Sequence, residues 1–265
     1  GMKRDEMVQA LGVFFTVATL ALSINLTASG LLSASTALPG AIAMGCFEKK
    51  LAALKGREAI PGITLNWDRV EVSGFPFRMD ANFQNLSVSG AGAHGPFFWR
   101  SEKFAMHGLS YGRSQDVYEA AGKQQVGWTG PHGEPRSAIF MAGSIRASSI
   151  LDAQGLRRFD LDIVTIRAEA FAMDRLQFHL RRDPGGSDLD LMAKIDILQT
   201  RGTKPGNLQF YAALKQAHAL YALLDGETSW PRAAAAWRAQ GGTAKLSQTV
   251  MTGGMAPQTL LSALY

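Results

Sequence analysis

Residues 174–197 read DRLQFHLRRDPGGSDLDLMAKIDI, and this stretch decides the fold class. Apolar and polar side chains alternate from Leu176 to Leu180, and the alternation resumes from Leu189 to Ile197. Strict alternation is typical of a strand with one buried face. Between the two runs, Asp183-Pro184-Gly185-Gly186 is a strong turn signal. The stretch therefore predicts an antiparallel β-hairpin.

The polar face of this hairpin carries charges of both signs. One register that keeps the apolar residues on one face places Arg181 opposite Asp188 and His179 opposite Asp190. Opposite charges paired across strands each contribute roughly 0.2–1 kcal/mol. These charged residues are therefore explained by hairpin stability, without an active site.

A second alternating stretch follows the motif Gly74-Phe75-Pro76-Phe77-Arg78. Every second residue from Phe75 to Phe83 is apolar, which again predicts a half-buried strand. In that strand Phe75 and Phe77 share the core face, while Arg78 points the other way. We therefore expect the two phenylalanines to anchor the core.

Composition excludes several classes of protein. The chain has 265 residues, enough for one or two domains, and only 18% of them are charged. The net charge of +5 is scattered along the sequence, so nucleic-acid binding is not expected. A single cysteine, Cys46, rules out a disulfide within the chain.

The N-terminal part contains a charge-free run of 19 residues from Val8 to Leu26, preceded by Lys3 and Arg4. A membrane-spanning helix needs about 20 such residues. A membrane anchor, a cleaved signal peptide and a buried helix are the three interpretations of this run. The first two predict a periplasmic domain that is anchored to the inner membrane or exported.

The rest of the sequence completes the predicted organisation. We expect an anchor or signal segment in residues 1–30, a helical connector in 31–60 and a β-rich domain in 61–265. Apolar residues recur at threes and fours from Leu208 to Leu224, and a second helix fits Ser229 to Gln240. The predicted fold class is α+β, mainly antiparallel β, with a curved sheet, an N-terminal anchor helix and C-terminal helices.

One motif suggests an enzyme. Residues 108–112 read GLSYG, which matches the nucleophile elbow of serine hydrolases and makes Ser110 the candidate nucleophile. The downstream histidines are His132, His179 and His218. A hydrolase of this type needs a largely parallel sheet, whereas the flanking segments indicate antiparallel hairpins. The sequence therefore leaves an enzyme open but favours a protein without enzymatic activity.

No cofactor or metal site is expected. The sequence contains neither HExxH nor CxxC. Residues 90–95 read GAGAHG, which matches the spacing of a dinucleotide-binding loop, but Pro96 and three aromatic residues follow where that loop requires a helix.

Four motifs in order resemble domain-of-unknown-function family 2125 of bacterial envelope proteins. They are residues 74–78 (GFPFR), 174–181 (DRLQFHLR), 189–192 (LDLM) and 237–242 (WRAQGG). The resemblance spans most of the chain. It implies an N-terminal apolar anchor followed by a β-rich domain, and because the family has no established activity it supplies no mechanism.

Together these observations predict a membrane-tethered periplasmic domain of unknown role. We expect it to bind membrane lipid or an envelope protein through an apolar sheet face. Candidate binding residues are Phe75, Phe77, Arg78, His179 and Arg181. The serine hydrolase and a purely structural scaffold are the alternatives.

Overall fold

The computed structural model of the chain describes residues 12–14, 16–24, 40–91, 94–109, 115–202 and 204–253. The strands are β1 Arg57–Ile60, β2 Ile63–Asn66, β3 Arg69–Ser73, β4 Arg78–Ala91, β5 Pro96–Leu109, β6 Gln115–Thr129, β7 Pro135–Asp152, β8 Gly155–Ala168, β9 Phe171–Arg182, β10 Leu189–Thr200, β11 Gly206–Lys215 and β12 Thr243–Thr252. The helices with defined bounds are α1 Gly40–Leu54, α2 His218–Leu224 and α3 Trp230–Ala239.

All of these strands form one 12-stranded antiparallel sheet. From β4 to β12 each strand pairs with the next in sequence, while β2 and β3 both pair with β4. The two ends of the order, β1 and β12, leave the sheet open. The predicted class, mainly antiparallel β with a few helices, is confirmed. Register shifts in many of the pairs mark irregularities, and bulges of this kind increase the twist and bend of a strand.

The predicted hairpin is β9–β10, but its register differs by two residues from the predicted one. Arg181 lies opposite Asp190, and His179 lies opposite Met192. The connecting loop is longer than a tight turn because the amide of Asp183 donates to the carbonyl of Asp188 over 3.1 Å. A shift of two residues keeps every side chain on its predicted face.

One face of the sheet, which we call the inner face, is mainly apolar from β4 to β10. A single row of directly opposed residues crosses it, one from each strand, and all of them are apolar: Ala81, Met106, Tyr118, Ala147, Leu161, Phe178 and Ala193. The opposite, outer face carries most of the charges. Alternation along each strand thus divides the sheet into an apolar and a polar surface.

The C-terminal helices are shorter than predicted. The periodic stretch from Leu208 forms strand β11 up to Lys215, and only His218–Leu224 is helical. β11 is paired on both sides, by β10 and β12, and this pairing outweighs the local helical pattern. The second predicted helix is confirmed as α3, preceded by Ser229 in extended conformation.

Helix α2 is fixed to the sheet by Arg182, which is buried at the end of β9. Its guanidinium donates to the carbonyl of Gln154 over 2.7 Å and to the carboxylate of Asp225 over 3.0 Å. The same guanidinium lies 4.4 Å from the ring centre of Tyr221. These contacts hold α2 at the edge of the inner face.

Residues 12–14 and 16–24 are α-helical, and we call them the N-terminal helical segment. They belong to the same buried cluster as the inner face. Among the described residues, no helix is both long enough and apolar enough to cross a membrane.

Candidate functional site

The N-terminal helical segment covers the inner face of the sheet. The ring of Phe14 meets that of Phe178 edge to face at 6.4 Å between centres. Gly12 lies so close to the indole of Trp128 that a β-carbon at this position would overlap the ring. At the other end, the indole Nε1 of Trp230 donates to the Oγ of Ser23 over 3.0 Å. The segment is therefore held between the sheet and α3.

The segment is buried on every side. Its most buried side chains are almost all apolar: Val13, Phe14, Val17, Leu20, Leu22 and Ser23. A helix that is apolar all round belongs either in a protein core or in a membrane. The hydroxyl of Ser23 also donates to the carbonyl of Thr19 over 2.9 Å, so the polar atom is satisfied without water.

The length and width of the N-terminal helical segment show what the inner face accommodates. The segment contributes three and nine helical residues, about 18 Å of helix axis at ~1.5 Å per residue. A helix with its side chains is roughly 10 Å wide. The inner face thus accommodates an apolar helix of this size. Side chains of the face such as Phe159 and Leu161 are fully buried.

Two polar residues lie at one end of this apolar surface. Asp116 on β6 is directly opposite Ser149 on β7, and both side chains are fully buried. The Oγ of Ser149 has no hydrogen-bond partner among the described residues. The inner face is therefore mainly apolar, with Asp116 and Ser149 at one end and the fully buried Gln124, whose Oε1 accepts from Nε1 of Trp99, farther along β6.

The predicted core role of Phe75 and Phe77 is wrong. Phe77 is 69% exposed and Phe75 is 38% exposed. Both lie in the turn between β3 and β4, because the strand begins only at Arg78. Met79, the first apolar residue inside the strand, is the one that is buried.

Arg78 lies directly after the turn that carries Phe75 and Phe77. Its Nε lies 2.7 Å from the carboxylate of Asp80, which is only 4% exposed. The same carboxylate is 2.9 Å from Nδ1 of His107, and Nε2 of that histidine is 3.4 Å from Glu119. Asp80 and His107 were not among the candidate residues predicted from the sequence, although their alternation with Met79 and Met106 indicates the polar face.

His179 also pairs with an aspartate, on the same outer face. Its Nδ1 contacts the carboxylate of Asp160, which lies 2.9 Å from Nε of Arg158. Burial raises the pKa of Asp160, but the hydrogen bond with His179 and the charge of Arg158 outweigh it, so the pKa lies below its ordinary value. Arg181 lies opposite both Arg158 and Asp190.

The predicted binding residues thus form two groups. Phe75, Phe77 and Arg78 share the β3–β4 turn, whereas His179 and Arg181 lie on β9. Five strand spacings of about 4.8 Å separate β4 from β9, roughly 24 Å along the sheet. The structure does not bring them into one site.

Ser110 and the rest of the GLSYG motif after Leu109 lie outside the described residues. The candidate histidines have other contacts. His132 lies in a turn, and the ring of His218 meets Tyr221 edge to face at 5.4 Å. Within the described residues, no group of three histidine, cysteine or acidic side chains is arranged to hold a metal ion.

Comparison with known proteins agrees with the resemblance seen in the sequence. The model of the family described as "Uncharacterized protein conserved in bacteria (DUF2125)" matches residues 41–259. The chain belongs to this family. No curated protein and no solved structure matches the chain. The DUF2125 match begins after the N-terminal helical segment and includes the whole described sheet.

Proposed function

We propose that this DUF2125 protein is a membrane-tethered domain of the bacterial envelope whose inner face binds the acyl chains of a lipid. The observation that carries the proposal is the N-terminal helical segment itself. A charge-free helical segment lies buried against the inner face, and this supports long apolar ligands as occupants of that face.

The segment has two compatible environments. The charge-free run from Val8 to Leu26 has 19 residues, close to the roughly 20 that a bilayer requires. Most side chains of its described part, residues 12–14 and 16–24, are buried against the sheet in this structure. The tethered state of our proposal places the run in the membrane and leaves the inner face without its cover.

An uncovered inner face would not remain empty. Side chains such as Phe159, Leu161 and Ile163, all at most 1% exposed here, would then meet water. Each large apolar side chain gains about 1.5–3 kcal/mol from burial. Acyl chains from the adjacent bilayer would restore that burial, and this is the physical basis for lipid as the ligand.

The polar residues at one end of the inner face favour an amphiphile over a pure hydrocarbon as the ligand. The hydroxyl of Ser149, which has no hydrogen-bond partner among the described residues, would donate to a headgroup or carboxyl oxygen at that end. A mainly apolar surface with Asp116 and Ser149 at one end matches the chemistry of a lipid, whose chains are apolar and whose headgroup is polar.

Photo-crosslinking tests the proposal. Membranes from cells that express the full chain are incubated with a photoreactive phospholipid, and the adducts are mapped by mass spectrometry. Adducts are expected on inner-face residues such as Met106 and Leu161. Met141, 51% exposed on the outer face, is the internal control. Equal labelling of both faces would contradict a specific acyl-chain site.

A second experiment tests the location. Alkaline phosphatase folds into an active enzyme only after export, so a fusion after Arg57 should be active. A β-galactosidase fusion at the same position should be inactive. The reverse pattern would exclude the envelope.

A further inference from the structure

We propose that the turn formed by Gly74-Phe75-Pro76-Phe77, which we call the aromatic turn, inserts into the interfacial layer of a phospholipid bilayer. This inference goes beyond acyl-chain binding, because it concerns a different surface. It stands on the exposure of the turn and does not depend on what occupies the inner face.

The exposed surface of the turn is entirely apolar. Phe77 is 69% exposed and Phe75 is 38% exposed, and the intervening side chain is Pro76. Gly74 contributes no side chain. Two exposed aromatic rings at one tip form a small contiguous apolar patch, and such patches favour contact with an apolar partner.

The turn is also firmly supported. The amide of Arg78 donates to the carbonyl of Gly74 over 3.1 Å and closes the turn. The ion pair of Arg78 with Asp80 and the contact of Asp80 with His107 fix its base to the sheet. Gly74 has φ +91°, and a β-carbon there would be 2.9 Å from both Arg78 and Asp80. The phenylalanines therefore project from a rigid base.

The size of the patch favours a bilayer over a protein partner. A phenylalanine buries about 150–250 Å², so the two rings together supply at most roughly 300–500 Å². A stable protein interface buries about 800 Å² on each partner. An aromatic tip needs no matching pocket in a bilayer, whose interfacial layer takes up aromatic side chains.

The position of Arg78 fits the same partner. Its side chain is 60% exposed at the base of the turn. When the rings lie among the upper acyl chains, a cation one residue away lies at the level of the phosphates. The aromatic turn and Arg78 together match the apolar and anionic layers of a bilayer surface.

A site-specific fluorescent probe provides the direct test. In the full chain with Cys46→Ser, an environment-sensitive dye is attached to Phe77→Cys, and vesicles of phosphatidylethanolamine and phosphatidylglycerol are added. The expected result is a blue shift and a rise in emission. The same dye on Met141→Cys, another exposed apolar position, is the control and should not respond. No response at position 77, or an equal response at both positions, would overturn the proposal.

Vesicle flotation provides the second measurement. The double variant Phe75→Ser/Phe77→Ser should partition into vesicles at least about five-fold more weakly than the parent chain, because it loses two apolar anchors. The variant Ile139→Ser/Met141→Ser removes two side chains that are each 51% exposed and should partition normally. Equal partitioning of both variants would refute the proposal, as would binding of the aromatic turn to a protein that vesicles do not displace.

Discussion

The indole Nε1 of Trp230 donates a hydrogen bond to the Oγ of Ser23 over 3.0 Å, across 207 positions of sequence. This bond joins helix α3 to the N-terminal helical segment. It is a polar contact within an otherwise apolar interface, since the segment meets the sheet through side chains such as Phe14 and Leu20. The segment is thus tied to the domain at its C-terminal end.

Trp230→Phe should loosen the N-terminal helical segment. The substitution keeps a six-membered aromatic ring but removes the five-membered ring that carries the donor. Loss of the hydrogen bond alone should lower the free energy of unfolding by about 0.5–1.5 kcal/mol. Hydrogen exchange of residues 16–24 should accelerate. Trp237→Phe is the matched control, because Nε1 of Trp237 donates to the carbonyl of Lys215 over 2.9 Å, away from the segment. Identical exchange in the two variants would contradict the role of Trp230.

In the aromatic turn, we expect substitution of the exposed Phe77 to cost less stability than substitution of the neighbouring Arg78. Phe77→Ala should change the free energy of unfolding by less than about 0.5 kcal/mol, because the ring is exposed. Arg78→Ala should cost about 1–2 kcal/mol, because the buried carboxylate of Asp80 loses one of its partners. Urea titration measures both values. A larger loss for Phe77→Ala would place that ring in the core.

The strands of this fold could be predicted because alternation is a local property. Residues 174–197 contain both strands of β9–β10 and the turn, so the hairpin follows from that stretch alone. The register did not follow, because it depends on the hydrogen bond of Asp183 with Asp188. Strand β11 was mistaken for helix because its assignment depends on β10 and β12, which lie on either side of it.

The candidate site was less predictable than the fold. The sequence indicated that the run from Val8 to Leu26 needs an apolar environment, but a bilayer and a sheet face satisfy that need equally. Burial of Phe75 and Phe77 was predicted because the two-residue period of strand β4 was extended back into the turn that precedes it. The strand starts only at Arg78, so the side chains before it are not bound by the two-residue period.

The lowered pKa of Asp160 predicts a pH-dependent contribution to stability. A carboxylate whose pKa is depressed in the folded state stabilises the fold above its unfolded pKa of about 3.9. That contribution is lost as the pH falls through the lower, folded pKa. The stability difference between the parent chain and Asp160→Asn should therefore be present at neutral pH and shrink below about pH 4.

Urea midpoints at neutral and acidic pH measure this effect. Asp174→Asn, which alters an exposed carboxylate on β9, is the control and should show a smaller difference at neutral pH. A difference between the parent chain and Asp160→Asn that grows as the pH falls would contradict the assignment of His179 and Arg158 as partners of Asp160.

A single charge inside the N-terminal helical segment tests its place on the inner face. Leu20 is fully buried there, so Leu20→Asp would put a carboxylate into an apolar core at a cost of several kcal/mol. A penalty of this size is a large share of a typical total stability of about 5–15 kcal/mol, so we expect the segment to leave the inner face. The uncovered inner face should then bind an apolar dye such as anilinonaphthalene sulfonate. Ile139→Asp, at a position 51% exposed, should bind no more dye than the parent chain.

The same variant separates the position of the segment from the binding of lipid. If acyl chains replace the segment, added fatty acid should raise the thermal midpoint of Leu20→Asp and displace the dye, while Ile139→Asp should not respond. Stabilisation by a ligand follows from its preference for the folded state, so the rise should grow with fatty-acid concentration. Dye binding without rescue by fatty acid would confirm the position of the segment and refute the lipid ligand. Identical behaviour of Leu20→Asp and Ile139→Asp would refute both, because a helix that tolerates a charge at Leu20 does not lie on the inner face.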